Sequence, residues 1–348
     1  MTLKFWPFEL QLAHPWVVAN QRGANPPQVV LVELTDADGV VGRGEAAPAR
    51  VYHETPDGVA AFCRQVDAHK LSFADIPGSM SYLAALAPGE MAAKCAFNLA
   101  LLDGAAKRAR QPLYDFLGLG FRENHHVTSF SIGIDTPELI QKKVLAAGKY
   151  PVLKLKVGAA RDRENLAALR SVAPTKPVRV DANEAWSTKE EALEHIEWCA
   201  RDGHIQFIEQ PMPRTTNEHD LRWLKEHSPL PLFADESYHT AKDLPSCAEV
   251  FHGVNVKLVK AGGVTGAYDA LQAARQAGLK TMLGCMIETS VLISAAAHLA
   301  ELTDYLDVDG NLLITNDPYA GVTAERGILS FAGATEKHGL RVTKKVSN

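Results

Sequence analysis

Four short runs decide the reading of this chain: VLKLKV (Val152–Val157), VRVD (Val178–Asp181), IQFIE (Ile205–Glu209) and LFAD (Leu232–Asp235). Each is short, apolar and rich in β-formers, as a strand buried in a parallel sheet should be, and each carries charge at or near its end. Lys154 to Asp181 is 27 residues, Asp181 to Glu209 is 28, Glu209 to Asp235 is 26, and Asp235 to Lys257 is 22. A strand of about five residues, a helix of ten to fifteen and two short loops fill such an interval. Outward from this block the rhythm continues, with His126–Ile134 before it and Val254–Leu258, Lys280–Gly284 and Tyr305–Asp309 after it, eight runs in all. Each is followed by an amphipathic helical stretch. Eight β-then-α repeats favour an α/β fold closed as a (β/α)8 barrel over an open doubly wound sheet, because closure removes the edges.

Before the barrel the pattern is mixed. Pro27–Leu34 (PQVVLVEL) and Val40–Ala46 flank Asp38-Gly39, which predicts a hairpin. Glu90–Arg110 carries Ala93, Phe97, Ala100, Leu101 and Ala105 at helical spacing. Strands followed by helices predict an α+β domain over 1–122, a barrel over 123–320, and a C-terminal segment, 321–348, packing back on the first domain. Pro48–Gly58, with Tyr52, His53 and Glu54 between prolines, reads as an ordered loop.

The 348 residues hold 36 Lys+Arg against 41 Asp+Glu, a formal charge of −5, with 46% apolar and 22% charged residues. That is globular usage, and mild acidity argues against a nucleic-acid partner. No apolar stretch is long enough to span a membrane, and Lys4, Pro7 and Glu9 are wrong for a secretory leader. Five scattered cysteines without a Cys-x-x-Cys pair argue against a disulfide framework or thiolate zinc site and for the cytoplasm.

Barrel chemistry gathers where the C-terminal strand ends converge. Asp181, Glu209 and Asp235 end three consecutive strands, where one alone would read as a helix N-cap. Three together repel and raise one another's pKa unless a cation sits among them. An all-oxygen set favours Mg²⁺, with Mn²⁺ as a substitute. Lys154 and Lys156 are two apart in one strand and so face one side, the barrel interior, while Leu153, Leu155 and Val157 face away. Lys257 ends the sixth run, across the ring from the second. Two lysines flanking a dication, which lowers their basicity, suit removal of a proton from one face and its return to the other. Lys260 reads as an ordinary solvated lysine or one supporting the site from behind. Asp307 and Asp309, again two apart, suit a substrate ammonium; a second metal, or turn chemistry at Asp309-Gly310, is the alternative. Gly262-Gly263-x-x-Gly266 reads as a βα turn, not a phosphate loop.

These residues carry a family resemblance. With GRGEAAP (42–48), KLKVG (154–158), DANEAW (181–186), EQPMP (209–213), ADES (234–237), NVKLVKAGG (255–263) and GCMIETS (284–290), the chain resembles the enolase superfamily in its muconate-lactonizing branch. DVDGNLL (307–313) is similar to the mark of its dipeptide epimerases. The resemblance implies a modified TIM barrel behind an α+β capping domain. It implies Mg²⁺ on Asp181, Glu209 and Asp235, binding the carboxylate of the dipeptide's C-terminal residue, whose α-proton leaves to give an enediolate. Lys156 and Lys257 would be the paired acid/base lysines and Lys154 would assist at the carboxylate. Asp307 and Asp309 would hold the α-ammonium group, and Ser131, with Thr128 as rival, would hydrogen-bond the substrate. The family usually forms dimers or larger rings, which implies a homo-oligomer.

The resemblance also implies that substrate choice falls to the capping loops, about Trp16–Pro26 and Ala49–Pro56. Arg22 there could pair with an acidic side chain, Glu54 could attract a cationic one, and Trp16, Val17, Val18 and Tyr52 suit small or hydrophobic dipeptides. Other reactions on this scaffold are o-succinylbenzoate synthesis, N-succinylamino acid racemisation and muconate cycloisomerisation. Their substrates have no free ammonium for Asp307 and Asp309. A barrel that binds a ligand or metal without turnover is the reading from another class, and the full set of carboxylates and lysines speaks against it.

Overall fold

The computed structural model describes residues 1–19 and 26–346. Thr2–Glu9 (β1), Gln28–Thr35 (β2) and Val41–Ala46 (β3) form an antiparallel sheet in the order β1-β2-β3. The expected hairpin is the β2–β3 pair, its turn held by Asp36, whose Oδ1 accepts from the N–H groups of Asp38 (3.0 Å) and Val40 (2.9 Å). β1 was not expected. It lies at the sheet edge, which tolerates Pro7 and its missing N–H.

Helices Pro56–Gln65 (α1), Ile76–Leu86 (α2), Met91–Arg108 (α3) and Leu113–Phe116 (α4) follow. The loop over 48–58 is ordered by a 3-10 turn at Arg50–Tyr52 and by Thr55, which caps α1. α3, buried along nearly its whole length, lies on β3 through two glycines. A Cβ on Gly42 would fall 2.0 Å from the Ala100 carbonyl oxygen, and one on Gly44 1.8 Å from that of Ala96. Only glycine allows backbones so close.

The barrel strands are Phe130–Ile132 (β4), Leu153–Lys156 (β5), Val178–Asp181 (β6), Ile205–Glu209 (β7), Leu232–Ala234 (β8), Gly253–Lys257 (β9), Lys280–Gly284 (β10) and Tyr305–Asp307 (β11). They lie parallel and side by side in chain order. Thr128 pairs with Leu306 across the seam, and the Ser129 N–H donates to the Leu306 carbonyl (3.1 Å). The intervening helices are Pro137–Ala146 (α5), Asp162–Val172 (α6), Lys189–Ala200 (α7), Glu218–His227 (α8), Leu244–Ala248 (α9), Leu258–Ala261 (α10), Val264–Gln276 (α11) and Ser290–Ala297 (α12).

Two expectations of regularity fail. α12 is not amphipathic but buried all round, since β3 and the C-terminal segment also pack against it. After β11 only a 3-10 turn, Gly310–Leu313, follows, so the eighth repeat has no α-helix among the described residues. The interior under the mouth is filled: Phe207 and Phe233 stack at 4.2 Å, and Tyr305 meets both edge-on.

The first domain is welded to the barrel by Glu45. Its carboxylate accepts from the Thr289 N–H (2.8 Å), the Thr289 hydroxyl (2.6 Å) and the Leu292 N–H (3.1 Å), at the N-terminus of α12. Anions are favoured there. Gly262-Gly263 lies in the turn between α10 and α11, against Asn98 of α3, whose amide bonds Thr265. Near the C-terminus the Leu340 N–H donates to Asp103 of α3 (2.8 Å), while that of Val322 donates to Ser294 of α12 (2.9 Å). The last segment therefore touches both regions. No described helix is long and apolar enough to cross a membrane.

Candidate active site

A cavity of about 810 Å³ lies between the barrel mouth and the capping loops, lined by Lys154, Lys156, Lys257, Ser131, Asp307 and Asp309 on the barrel side. Beneath it, in contact with Lys154, Lys156 and Lys257 and not themselves lining the cavity, Asp181, Glu209 and Asp235 end β6, β7 and the β8 run, each fully buried, with one oxygen from each within 4.8 Å of the others. Strand alternation puts all three inside; their neighbours fix their directions. Asn255, two residues before Lys257 and so on the same face, donates to Glu209 Oε1 (2.8 Å). It fits because β10 has Gly284 beside it, where a Cβ would stand 2.5 Å from Asn255 Oδ1. Gln210 accepts from the Asp235 N–H (2.9 Å) and donates to the Met212 carbonyl, tying the end of β7 to that of β8. Gln210 itself sits at φ 36°, with Asn183 at 44° and Glu184 at 67°, in the left-handed region that side chains disfavour.

The lysines contact different carboxylates. Lys156 Nζ lies 2.5 Å from Asp181, and Lys257 2.8 Å from Asp235, four strands away round the ring. Lys154 lies 3.0 Å from Asp181, 2.8 Å from Glu209 and 2.7 Å from Asp307. Lys260 is not solvated: it is 3% exposed and donates to the Asp235 carboxylate and carbonyl, both at 2.6 Å. Its place on α10, directly after β9, turns it back under the strand ends.

Burial raises the Glu209 carboxyl to about 7, with Asp181 adding to the effect beyond what Lys154 offsets. Burial works on Asp235 too, yet Lys257 and Lys260 hold it well below the ordinary range. Glu209 Oε2 lies near Lys154 without a well-directed hydrogen bond. Three buried carboxylates, one resisting ionisation and one oxygen poorly satisfied, form a donor set that a hard divalent cation fits. Among these carboxylates alone, Lys154 and Lys257 stand well above the usual lysine range: burial is the largest influence and opposes their charge, but the surrounding carboxylates together outweigh it, Asp181, Asp307 and Glu209 at Lys154 and chiefly Asp235 at Lys257. The lowered basicity expected of them needs a dication among the carboxylates.

Asp307 and Asp309 meet the cavity differently from their identical spacing. Asp307 belongs to β11, but Asp309 lies past it, before the 3-10 turn. Asp309 accepts from the Ser131 N–H (2.6 Å) and hydroxyl (3.3 Å), and burial beside Asp307 raises it to about 7. Ser131 pairs with Lys154 and lines the cavity, whereas the Thr128 hydroxyl accepts from the Val308 N–H (2.8 Å) in the seam.

From the cap, Trp16, Val17, Val18 and Tyr52 reach the cavity. Tyr52 stands edge-on to His239 (5.1 Å) and under the Arg214 guanidinium (5.7 Å), which Glu184 anchors. Glu54 also borders the cavity, but its carboxylate accepts from the Ala92 N–H (3.0 Å) at the start of α3. That capping role, invisible from its loop, explains its presence without a cationic substrate. Arg22 lies outside the described residues. Sequence reasoning missed Ser129, Arg179 and Asn255; each sits two residues before a singled-out position, on the same strand face.

Residues 136–317 match the enolase C-terminal domain-like family, and residues 7–118 the N-terminal domain of mandelate racemase / muconate lactonizing enzyme. The chain is 67% identical to an L-Ala-D/L-amino acid epimerase of Pedosphaera parvula, covering 99% of this chain and 100% of that one. It superposes on the L-Ala-D/L-Glu epimerase from Bacillus subtilis in complex with its substrate with a TM-score of 0.91 at 28% identity, covering 100% and 99% of the two chains. A dipeptide epimerase from Cytophaga hutchinsonii, complexed with Mg and D-Ala-L-Val, gives 0.90 at 28%, covering 99% and 95%. With both halves matched and the strand-end lysines and carboxylates around one cavity, the chain belongs to the enolase superfamily, in its mandelate racemase / muconate lactonizing enzyme group.

Proposed function

We propose that this protein is a dipeptide epimerase that moves the α-proton of a dipeptide's C-terminal residue reversibly between its two faces. The observation that carries the reading is one cavity lined by Lys156 and Lys257, from strands across the ring, and by Asp307 and Asp309 at the seam. The names of the relatives support it. Asp181, Glu209 and Asp235 hold Mg²⁺, which Mn²⁺ can replace. When bound, the ion supplies positive charge against the negative charge that grows on the substrate carboxylate as the proton leaves.

Lys156 and Lys257 take and return the proton at the α-carbon, one from each face. Lys154 faces the substrate carboxylate. Asp307 and Asp309 hold the α-ammonium group, and Ser131, bonded to Asp309, completes that end. Acylated substrates would leave these two carboxylates without a cation. Trp16, Val17, Val18 and Tyr52 favour small or hydrophobic side chains. The capping domain comprises 1–122 and the barrel 123–320, with 321–348 returning to the cap, and the enzyme works as a cytoplasmic homo-oligomer.

The test is incubation of L,L-dipeptides in D₂O with Mg²⁺, following the α-proton by NMR. Exchange at the C-terminal residue, abolished by chelation, is expected. Absence of exchange across a broad dipeptide library rejects the reading.

A further inference from the structure

We infer that Arg179 and Ser129 form a positioning chain that aims Asp307, so that recognition of the substrate ammonium is set from beneath the mouth. This rests on the epimerase reading for what Asp307 does, but the chain itself rests on geometry. Arg179 lies on β6 two residues before Asp181, so it points into the barrel, and it is 4% exposed. Its Nη1 donates to the Leu306 carbonyl (2.5 Å) and to Ser129 Oγ (3.3 Å), and its Nε to Gln206 Oε1 (3.0 Å). The Tyr305 and Phe207 rings lie 5.0 and 5.7 Å from the guanidinium, fixing its plane.

Proton accounting then leaves Ser129 little choice. A guanidinium only donates, so Ser129 Oγ accepts from Arg179 and spends its single hydrogen elsewhere. Asp307 Oδ1 lies 2.6 Å away, against 3.4 Å for the Leu306 carbonyl, and is the charged acceptor. With Oδ1 held, Oδ2 turns toward Lys154 (2.7 Å). A carboxylate has about four acceptor positions, so Asp307 keeps capacity for an ammonium. Arg179 also grips the backbone carbonyl of Leu306, the residue before Asp307, so side chain and main chain are fixed from one point. Asp309 has its own support from Ser131 and does not share this chain.

The experiment compares wild type with Ser129→Ala and Arg179→Lys on a dipeptide the wild type epimerises. It measures KM and kcat for α-proton exchange, dipeptide affinity by calorimetry, and Mg²⁺ half-saturation. Ser129→Ala is expected to raise KM and weaken dipeptide binding about tenfold, the worth of one charge-assisted hydrogen bond, with kcat within about twofold and Mg²⁺ half-saturation unchanged. Arg179→Lys, which keeps the charge but loses the fork, should move KM in the same direction; should it not fold, Ser129→Ala decides alone. KM and affinity within about twofold of wild type in Ser129→Ala, or a fall in kcat without a change in KM, overturns the inference. Wild type that binds dipeptides without exchange sinks the epimerase reading instead, and the calorimetric comparison still tests the chain.

Discussion

At the barrel mouth a side chain's direction follows from strand alternation, whereas on the capping loops it follows from hydrogen bonds made to other elements. Lys154 and Lys156 point inward because they are two apart in β5, and they find Asp181 because β5 pairs with β6 in register. Glu54 borders the same cavity from the other side, yet what holds it is the N-terminus of α3. The direction of a side chain at the mouth can therefore be assigned residue by residue from its strand, whereas on the capping loops it has to be read from its partner.

The largest expected effect tests whether the mouth is symmetric in the way its ring geometry states. Lys156→Ala and Lys257→Ala should each lower kcat for epimerisation by about a thousandfold, within the range of losing a general acid or base. Each variant should still exchange the α-proton of one stereoisomer with solvent, and the two should retain opposite ones. NMR of L,L- and L,D-dipeptides in D₂O reads this directly. Retention of the same stereoisomer by both would place the lysines on one face and break the two-sided arrangement.

The barrel was legible because its period repeats and because strand ends on a ring must converge. The run Ile205–Glu209 coincides with β7 and Lys280–Gly284 with β10, while His126–Ile134 shortens to Phe130–Ile132 because Thr128 is drawn into the seam. β1 went unread since its partner, β2, is separated from it by a long connection, and edge strands have weak patterns. Ser129, Arg179 and Asn255 carried a signal, the two-residue alternation from Ser131, Asp181 and Lys257. Reading alternation one step deeper finds all three. Glu45 carried none: its meaning depends on α12, more than 240 residues away. The role of Glu54 was hidden for the same reason.

A smaller effect sharpens the boundary between the two regions. His298 ends α12, fully buried, and its Nδ1 accepts from the Tyr114 N–H of α4 (3.1 Å). Burial pushes its pKa down to about 3, with Arg341 adding to the effect. The folded protein therefore keeps His298 neutral, while the unfolded chain takes up a proton as pH falls through about 6.5. Stability is whole above that value and is lost progressively as pH falls from 6.5 toward 3. By pH 5 the loss reaches about 2 kcal/mol. Urea unfolding at pH 7 and pH 5 measures it, and His298→Gln should flatten the difference by that amount. An equal pH dependence in the variant would show that this junction does not depend on a neutral ring.

The smallest effect belongs to the capping-loop residue Trp16. Trp16 packs beside Gly133, just past β4, and the Val17 carbonyl next to it accepts from the Ile134 N–H (3.0 Å), so these two residues are pinned to the rim of the barrel. Gly133 matters here because a Cβ would stand 3.3 Å from the Trp16 ring, tighter than ordinary packing. Trp16 is only half-buried and lines the cavity, so in the proposed reaction truncating it would remove part of an aromatic contact with the substrate side chain and none of the strand-end lysines and carboxylates. Trp16→Ala should raise KM by up to about tenfold for dipeptides with large apolar C-terminal residues, a fraction of a full aromatic burial. KM for L-Ala-L-Ala should stay nearly constant, as should kcat for both. Steady-state kinetics on the two substrates separates the cases. A fall in kcat on L-Ala-L-Ala would mean that the capping loop aligns the reacting carbon as well as the side chain, and the division between mouth and capping loops would no longer hold.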